Sequence, residues 1–268
     1  MSEPSKFKNS TLKSMLLVLG AYAFSYCLGL TLHETGHAIA LAIVGASNIR
    51  IYVHPFALSH ASGEPLLPEV MAFTGCMGPL FNILCSCIIT LVVWRKRNPK
   101  LLPLLMCGGT ALTSEGVAIF MSLAQLPLLT DWGQVIIMGG VSPIIIGIIG
   151  AIFTITGIIM LLLLFPLENI STHNSFWKLL IILSGFPLYF IISVTYVFIF
   201  DPDVLTNRLI ALLTTIGLTL LFASIYKPIF PYLDRISHTD TSKFNWSTII
   251  IAFGAAAAII SVDLIFFY

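Results

Sequence analysis

The residues His33-Glu34-Thr35-Gly36-His37 sit inside a long apolar run. On a helix, two residues four apart share one face and lie about 6 Å apart along the axis. Two imidazoles so placed can grip one zinc ion at about 2.0–2.1 Å each. Glu34 projects beside them and can take a proton from a water at the metal rather than ligate the metal itself. Zinc lowers the pKa of a bound water to about 7, so the pattern meets the needs of metal-assisted hydrolysis. Three ionisable groups in an apolar stretch are costly, and such groups mark function by default.

A catalytic zinc takes three protein ligands. Two carboxylates compete for the third place. Asp131 follows Leu126-Pro127-Leu128-Leu129-Thr130, and Glu115 lies in Thr113-Ser114-Glu115-Gly116. They are sixteen positions apart, about 24 Å along a straight helix, so one helix cannot bring both to one ion. Asp131 is favoured, as the third ligand at the end of the third apolar span. Alternating topology puts that end on the same side as the end of the first span that carries the motif. Glu115 remains a competing ligand, a partner to a histidine or a residue lining a water path. His54 and His60 read as surface histidines. Cys27, Cys76, Cys85, Cys87 and Cys107 lack zinc-ribbon spacing and read as small packing residues.

The elements that must hold these groups are membrane helices. The 268-residue chain is 57% hydrophobic and 9% charged, against roughly a quarter charged in a soluble domain. Lipid is therefore its solvent. A net charge of +1 gives no hint of a nucleic-acid partner. Seven apolar stretches read as spans: 12–44, 71–94, 101–126, 137–165, 177–200, 207–230 and 246–268. The first exceeds one untilted crossing, so it tilts, kinks near Gly29 or extends beyond the bilayer. Because it carries the metal motif, it is a retained span rather than a cleaved leader. Lys6, Lys8 and Lys13, then Arg95, Lys96, Arg97 and Lys100, then Lys227, Arg235 and Lys243, agree with a cytoplasmic N-terminus. Seven spans would put the C-terminus outside. Ile49 to His54 alternates apolar and polar residues as a half-exposed strand does, and 57–64 could return as a second strand. Gly139-Gly140 and Gly147, Gly150 and Gly157 suit close helix packing. The expected fold class is an all-α polytopic membrane protein with about six to seven transmembrane helices and a small β-hairpin-like insertion after the first.

With His33-Glu34-Thr35-Gly36-His37, then Gly78-Pro79-Leu80-Phe81-Asn82, then Pro127 and Asp131 in order, the chain resembles the site-2 protease family of intramembrane zinc metalloproteases. The resemblance covers roughly residues 15–140. Two positions depart from the family pattern: Trp132 follows Asp131 where Gly is usual, and Ala124 stands where Asn is usual. The resemblance implies that His33, His37 and Asp131 ligate one catalytic Zn2+, that Glu34 is the general base, and that Asn82 hydrogen-bonds near the scissile peptide. It implies a catalytic core over 1–140, with additional transmembrane helices over 141–268; the last three spans, 177–268, match nothing in the family core and could shield or gate the site. It also implies a membrane-protein substrate cut in or near its transmembrane segment, in a prokaryotic plasma membrane or a eukaryotic internal membrane. A membrane metal transporter or metal-binding scaffold is the competing reading. The glutamate directly after the first histidine, with the Gly-Pro-x-x-Asn element, favours the hydrolase.

Overall fold

The computed structural model describes residues 4–54, 59–64, 68–94, 101–124, 130–164, 183–200, 202–226 and 246–266. They form eight α-helices and one small hairpin. The first apolar run is a single helix, α1 (Pro4–Ile43), of 40 residues. It stops where Gly45 takes φ +80°. There the Gly45 and Ala46 amides donate to the carbonyls of Ala42 and Leu41, the left-handed cap that glycine adopts at little cost. The chain then runs as β1 (Ser47–Tyr52), antiparallel to β2 (His60–Glu64), with Arg50 opposite Ser62 and Tyr52 opposite His60. The pairing is irregular between Ser47 and Arg50, where Asn48 has φ +54°. The expected hairpin is present, and its tip over 55–58 lies outside the described residues.

Five further helices follow the expected spans with shifted ends: α2 (Pro68–Trp94), α3 (Leu102–Ala124), α6 (Gly185–Phe200), α7 (Leu205–Tyr226) and α8 (Trp246–Phe266). The stretch 137–165 is corrected. Residues Asp131–Ile137 form a separate short helix, α4, and α5 begins at Pro143 (Pro143–Leu164). Gly140 breaks the run with φ +63°, and Pro143 sits at a helix start, where its missing N–H costs nothing. Four helical segments are long and apolar enough to cross a membrane: Met15–Ile43, Val70–Trp94, Leu102–Leu123 and Pro143–Leu163. Three shorter apolar segments lie within α6, α7 and α8. The basic clusters Arg95–Lys100 and Lys227–Lys243 lie outside the described residues.

α1 is the hub, packed against α2, α3, α6, α8 and the hairpin. Tyr22 and Val18 on α1 meet Phe186 and Tyr189 of α6, Leu102 and Met106 of α3, and Leu161 of α5 in the main core. The α3–α5 seam is glycine-lined: a methyl at Gly109 would strike the Leu161 side chain, one at Gly157 the backbone of Thr113 and Gly109, and one at Gly116 the Gly150 carbonyl. Close approach of this kind is how membrane helices gain packing energy. Exposed Ile144, Ile148, Ile152, Ile155 and Ile159 form a stripe on α5, and Leu80, Leu84, Ile88 and Leu91 form one on α2. The stripes recur at helical spacing and suit contact with lipid.

Candidate metal centre

His33 and His37 project from one face of α1 and meet Asp131 at the start of α4. His33 Nε2 lies 2.9 Å from Asp131 Oδ2, His37 Nε2 lies 3.3 Å from Asp131 Oδ1, and the two Nε2 atoms are 3.0 Å apart. Tetrahedral ligands about 2.0–2.1 Å from a zinc ion stand about 3.3 Å from one another. The three groups therefore lie close enough to share one ion, with one Asp131 oxygen facing each histidine. Among the described residues, this His-His-Asp group can hold a metal ion.

The outer nitrogens make the case for a cation sharper. His37 Nδ1 is 2.7 Å from the Thr74 carbonyl. A carbonyl only accepts, so Nδ1 carries the proton and a neutral His37 presents a lone pair at Nε2. His33 Nδ1 is 2.9 Å from Glu115 Oε1, which assigns the same tautomer if the carboxylate is ionised. Two lone pairs and a carboxylate then converge on one point. Such a set is repulsive unless a proton or a metal joins it. Asp131 lies outside the membrane spans. Burial would raise its pKa; with protons rather than a metal at His33 and His37, their hydrogen bonds and charge outweigh that and hold the carboxyl below the usual carboxylate range.

Local sequence explains how Asp131 is delivered. Thr130 caps α4, its side chain accepting from the Gly133 amide at 3.1 Å. Trp132 is buried with Ile119, Val135 and Ile146 and lies edge-on to Phe153. Trp132 is thus the anchor that seats α4 on α3 and α5. Asp131 does not end a long third span, as expected, but opens its own helix. The segment containing Pro127 lies outside the described residues.

α2 forms a cradle. A methyl at Gly75 would come 2.8 Å from the Asp131 carbonyl, and one at Gly78 would run into the His37 ring. A methyl at Gly36 on α1 would come 2.6 Å from the Met77 carbonyl. The cradle roles of Thr74 and Gly75 have no motif of their own. Gly75 and Gly78, three apart, were the available sign of a close approach.

Glu34 is buried at 3% exposure, and its Oε2 has no hydrogen-bond partner among the described residues. Glu115 is not one of the three converging groups; it reaches the opposite nitrogen of His33. Asn82 is buried, donating from Nδ2 to Glu115 Oε1 at 2.9 Å and accepting at Oδ1 from Ser86. His54 is not a surface histidine. It is 6% exposed and pairs through Nε2 with the Tyr196 hydroxyl at 3.1 Å. His60 is exposed as expected. Cys27 and Cys107 are buried, and none of the five cysteines is in a disulfide. No family profile matches this chain, and neither does any curated protein or solved structure.

Proposed function

We propose that this chain is an intramembrane zinc endopeptidase that hydrolyses peptide bonds in or near transmembrane segments of membrane-protein substrates. The observation that carries the reading is the convergence of two imidazole nitrogens and a carboxylate on a helix that also carries a buried, unpartnered Glu34 oxygen. Orphaned acceptors of this kind are rare and call for an explanation. A water between Glu34 and the ligand cage supplies one.

In this reading His33, His37 and Asp131 hold the ion. When bound, zinc supplies Lewis-acid polarisation of a carbonyl and brings the pKa of a water near neutrality. Glu34 accepts the attacking water's proton at its carboxylate and passes it to the leaving amine. The substrate unwinds before cleavage, because the peptide bonds of a membrane helix are internally paired. The hairpin lies next to α1, and a two-stranded sheet has outer edges that can pair with an extended segment. In the full reading, residues 1–140 are the catalytic core. The later helices flank it, with α6 tied to the hairpin through Tyr196 and His54.

A transporter needs a succession of exchangeable sites. Among the described residues there is one candidate metal group, which favours the enzyme. The test is Glu34→Gln. This variant keeps the ion and loses cleavage of a reconstituted membrane substrate by at least about a hundredfold. Full cleavage by that variant would sink the general-base assignment, and zinc-free wild-type protein would sink the metal site itself.

A further inference from the structure

We propose that Glu115 and Asn82 are a positioning pair that sets the tautomer and ring angle of His33, tuning the metal centre from outside its ligands. This rests on the metal site proposed above but not on protease activity.

His33 is held at both edges: Nε2 faces Asp131, and Nδ1 meets Glu115 Oε1 at 2.9 Å. An imidazole so gripped cannot turn about its ring axis without breaking a charge-assisted hydrogen bond. Glu115 is in turn fixed, because the same Oε1 accepts from Asn82 Nδ2 at 2.9 Å. The orientation of the Asn82 amide follows from its neighbours. A carboxylate oxygen accepts, so the NH2 end faces Glu115. The Asn82 carbonyl oxygen is left to accept from Ser86 Oγ at 3.2 Å.

Three helices contribute to this chain of contacts, and its members are enclosed: Glu115 is 4% exposed, Asn82 3% and Ser86 0%. Gly29 on α1 is what admits Asn82, since a methyl there would sit 3.2 Å from Asn82 Oδ1. A carboxylate at membrane depth is expensive and persists where it has a task. A cavity of about 110 Å3 lies beside it, mostly apolar in its lining but with Ser25, Tyr26, Thr110 and Ser114 on its walls together with His33 and Glu115; it has room for water. Glu115 borders that cavity while its Oε1 meets the outer nitrogen of the imidazole. A carboxylate on the far nitrogen makes a ligating histidine a better donor and fixes its direction, and losing such a partner costs about 10–100-fold in metal affinity.

The simpler role is mechanical, with Glu115 stapling α1, α2 and α3 together. A control separates the two. Thr90 also joins α2 to α3, accepting from the Gly108 amide at 2.8 Å and donating to the Leu105 carbonyl at 3.2 Å, away from His33. The experiment measures zinc affinity by chelator competition and the visible absorption of the cobalt-loaded protein. It compares wild type, Glu115→Ala, Glu115→Gln, Asn82→Ala and Thr90→Ala, all in detergent.

Glu115→Ala is expected to weaken zinc about 10–100-fold and to shift the cobalt bands. Glu115→Gln keeps an acceptor and recovers part of the affinity. Asn82→Ala shifts the bands with a smaller affinity loss, and Thr90→Ala matches wild type in both. If Glu115→Ala binds as tightly as wild type with a superimposable cobalt spectrum, or Thr90→Ala reproduces its defects, the positioning role is wrong. Should Glu115→Ala not fold, Glu115→Gln decides: an unshifted spectrum overturns the proposal and a shifted one supports it. A wild type that binds neither metal fails the metal reading instead, which keeps the two failures apart.

Discussion

At Gly78 the absence of one carbon decides whether His37 can turn its Nε2 toward His33 and Asp131, because a methyl there would meet the ring head-on. The neighbouring element is backbone of α2, which has little freedom to withdraw. Gly78→Ala should therefore lower zinc affinity by about tenfold or more while leaving helical circular dichroism unchanged. Gly147→Ala is the matched control. Its added methyl would meet only the end of the Leu123 side chain at 3.3 Å, and it should bind zinc as wild type does. Equal affinities for the two variants would show that the cradle does not constrain His37. The candidate metal group was legible in the sequence, because imidazoles at helical spacing and a carboxylate at a span end are side-chain signals. The Thr74 carbonyl was not, because any residue supplies a carbonyl and only the packing of α2 on α1 selects this one. Glu115 was legible as a costly charge with three roles open; the 2.9 Å contact to the outer nitrogen of His33 separates it from the ligands.

Among the elements, α4 is the one that sequence periodicity hides. Residues 137–165 read as one apolar span because hydropathy is continuous across the break, and in a membrane the polar face that would mark a helix end is missing. The local signs, Gly139-Gly140 and Pro143, were present and outweighed by that continuity. What α4 contributes is a carboxylate on a separately seated unit, held by the Thr130 cap and by Trp132 in its pocket with Ile119, Val135 and Ile146. Trp132→Ala should cost about 3 kcal/mol of stability from lost packing. It should also weaken zinc binding, because Asp131 loses its anchor. Trp132→Phe, which keeps most of the apolar contact, should retain most of both. Thermal unfolding in detergent, read beside zinc affinity, distinguishes this from a merely structural role. If stability falls and affinity does not, Asp131 is positioned by the Thr130 cap alone.

Across the whole molecule, the candidate centre joins α1, α2, α3 and α4 at one place. The ligands come from α1 and α4, the outer hydrogen bonds from α2 and α3, and α3 leans on α5 through the glycine seam. An ion that binds this arrangement and not the unfolded chain must stabilise the bundle by linkage. At free zinc a thousand times above Kd, the gain is about 4 kcal/mol. The unfolding temperature of wild type in detergent or nanodiscs should therefore rise with zinc and fall with chelator. His37→Ala and Asp131→Ala should unfold at a temperature that neither addition moves, because each removes a ligand. Glu34→Gln should keep the full zinc response, since Glu34 stands beside the cage rather than in it. That contrast separates the ion's hold on the fold from any effect on hydrolysis. A wild-type transition indifferent to zinc and chelator would mean that His33, His37 and Asp131 share protons rather than a metal, and the hydrolytic reading would fall with it.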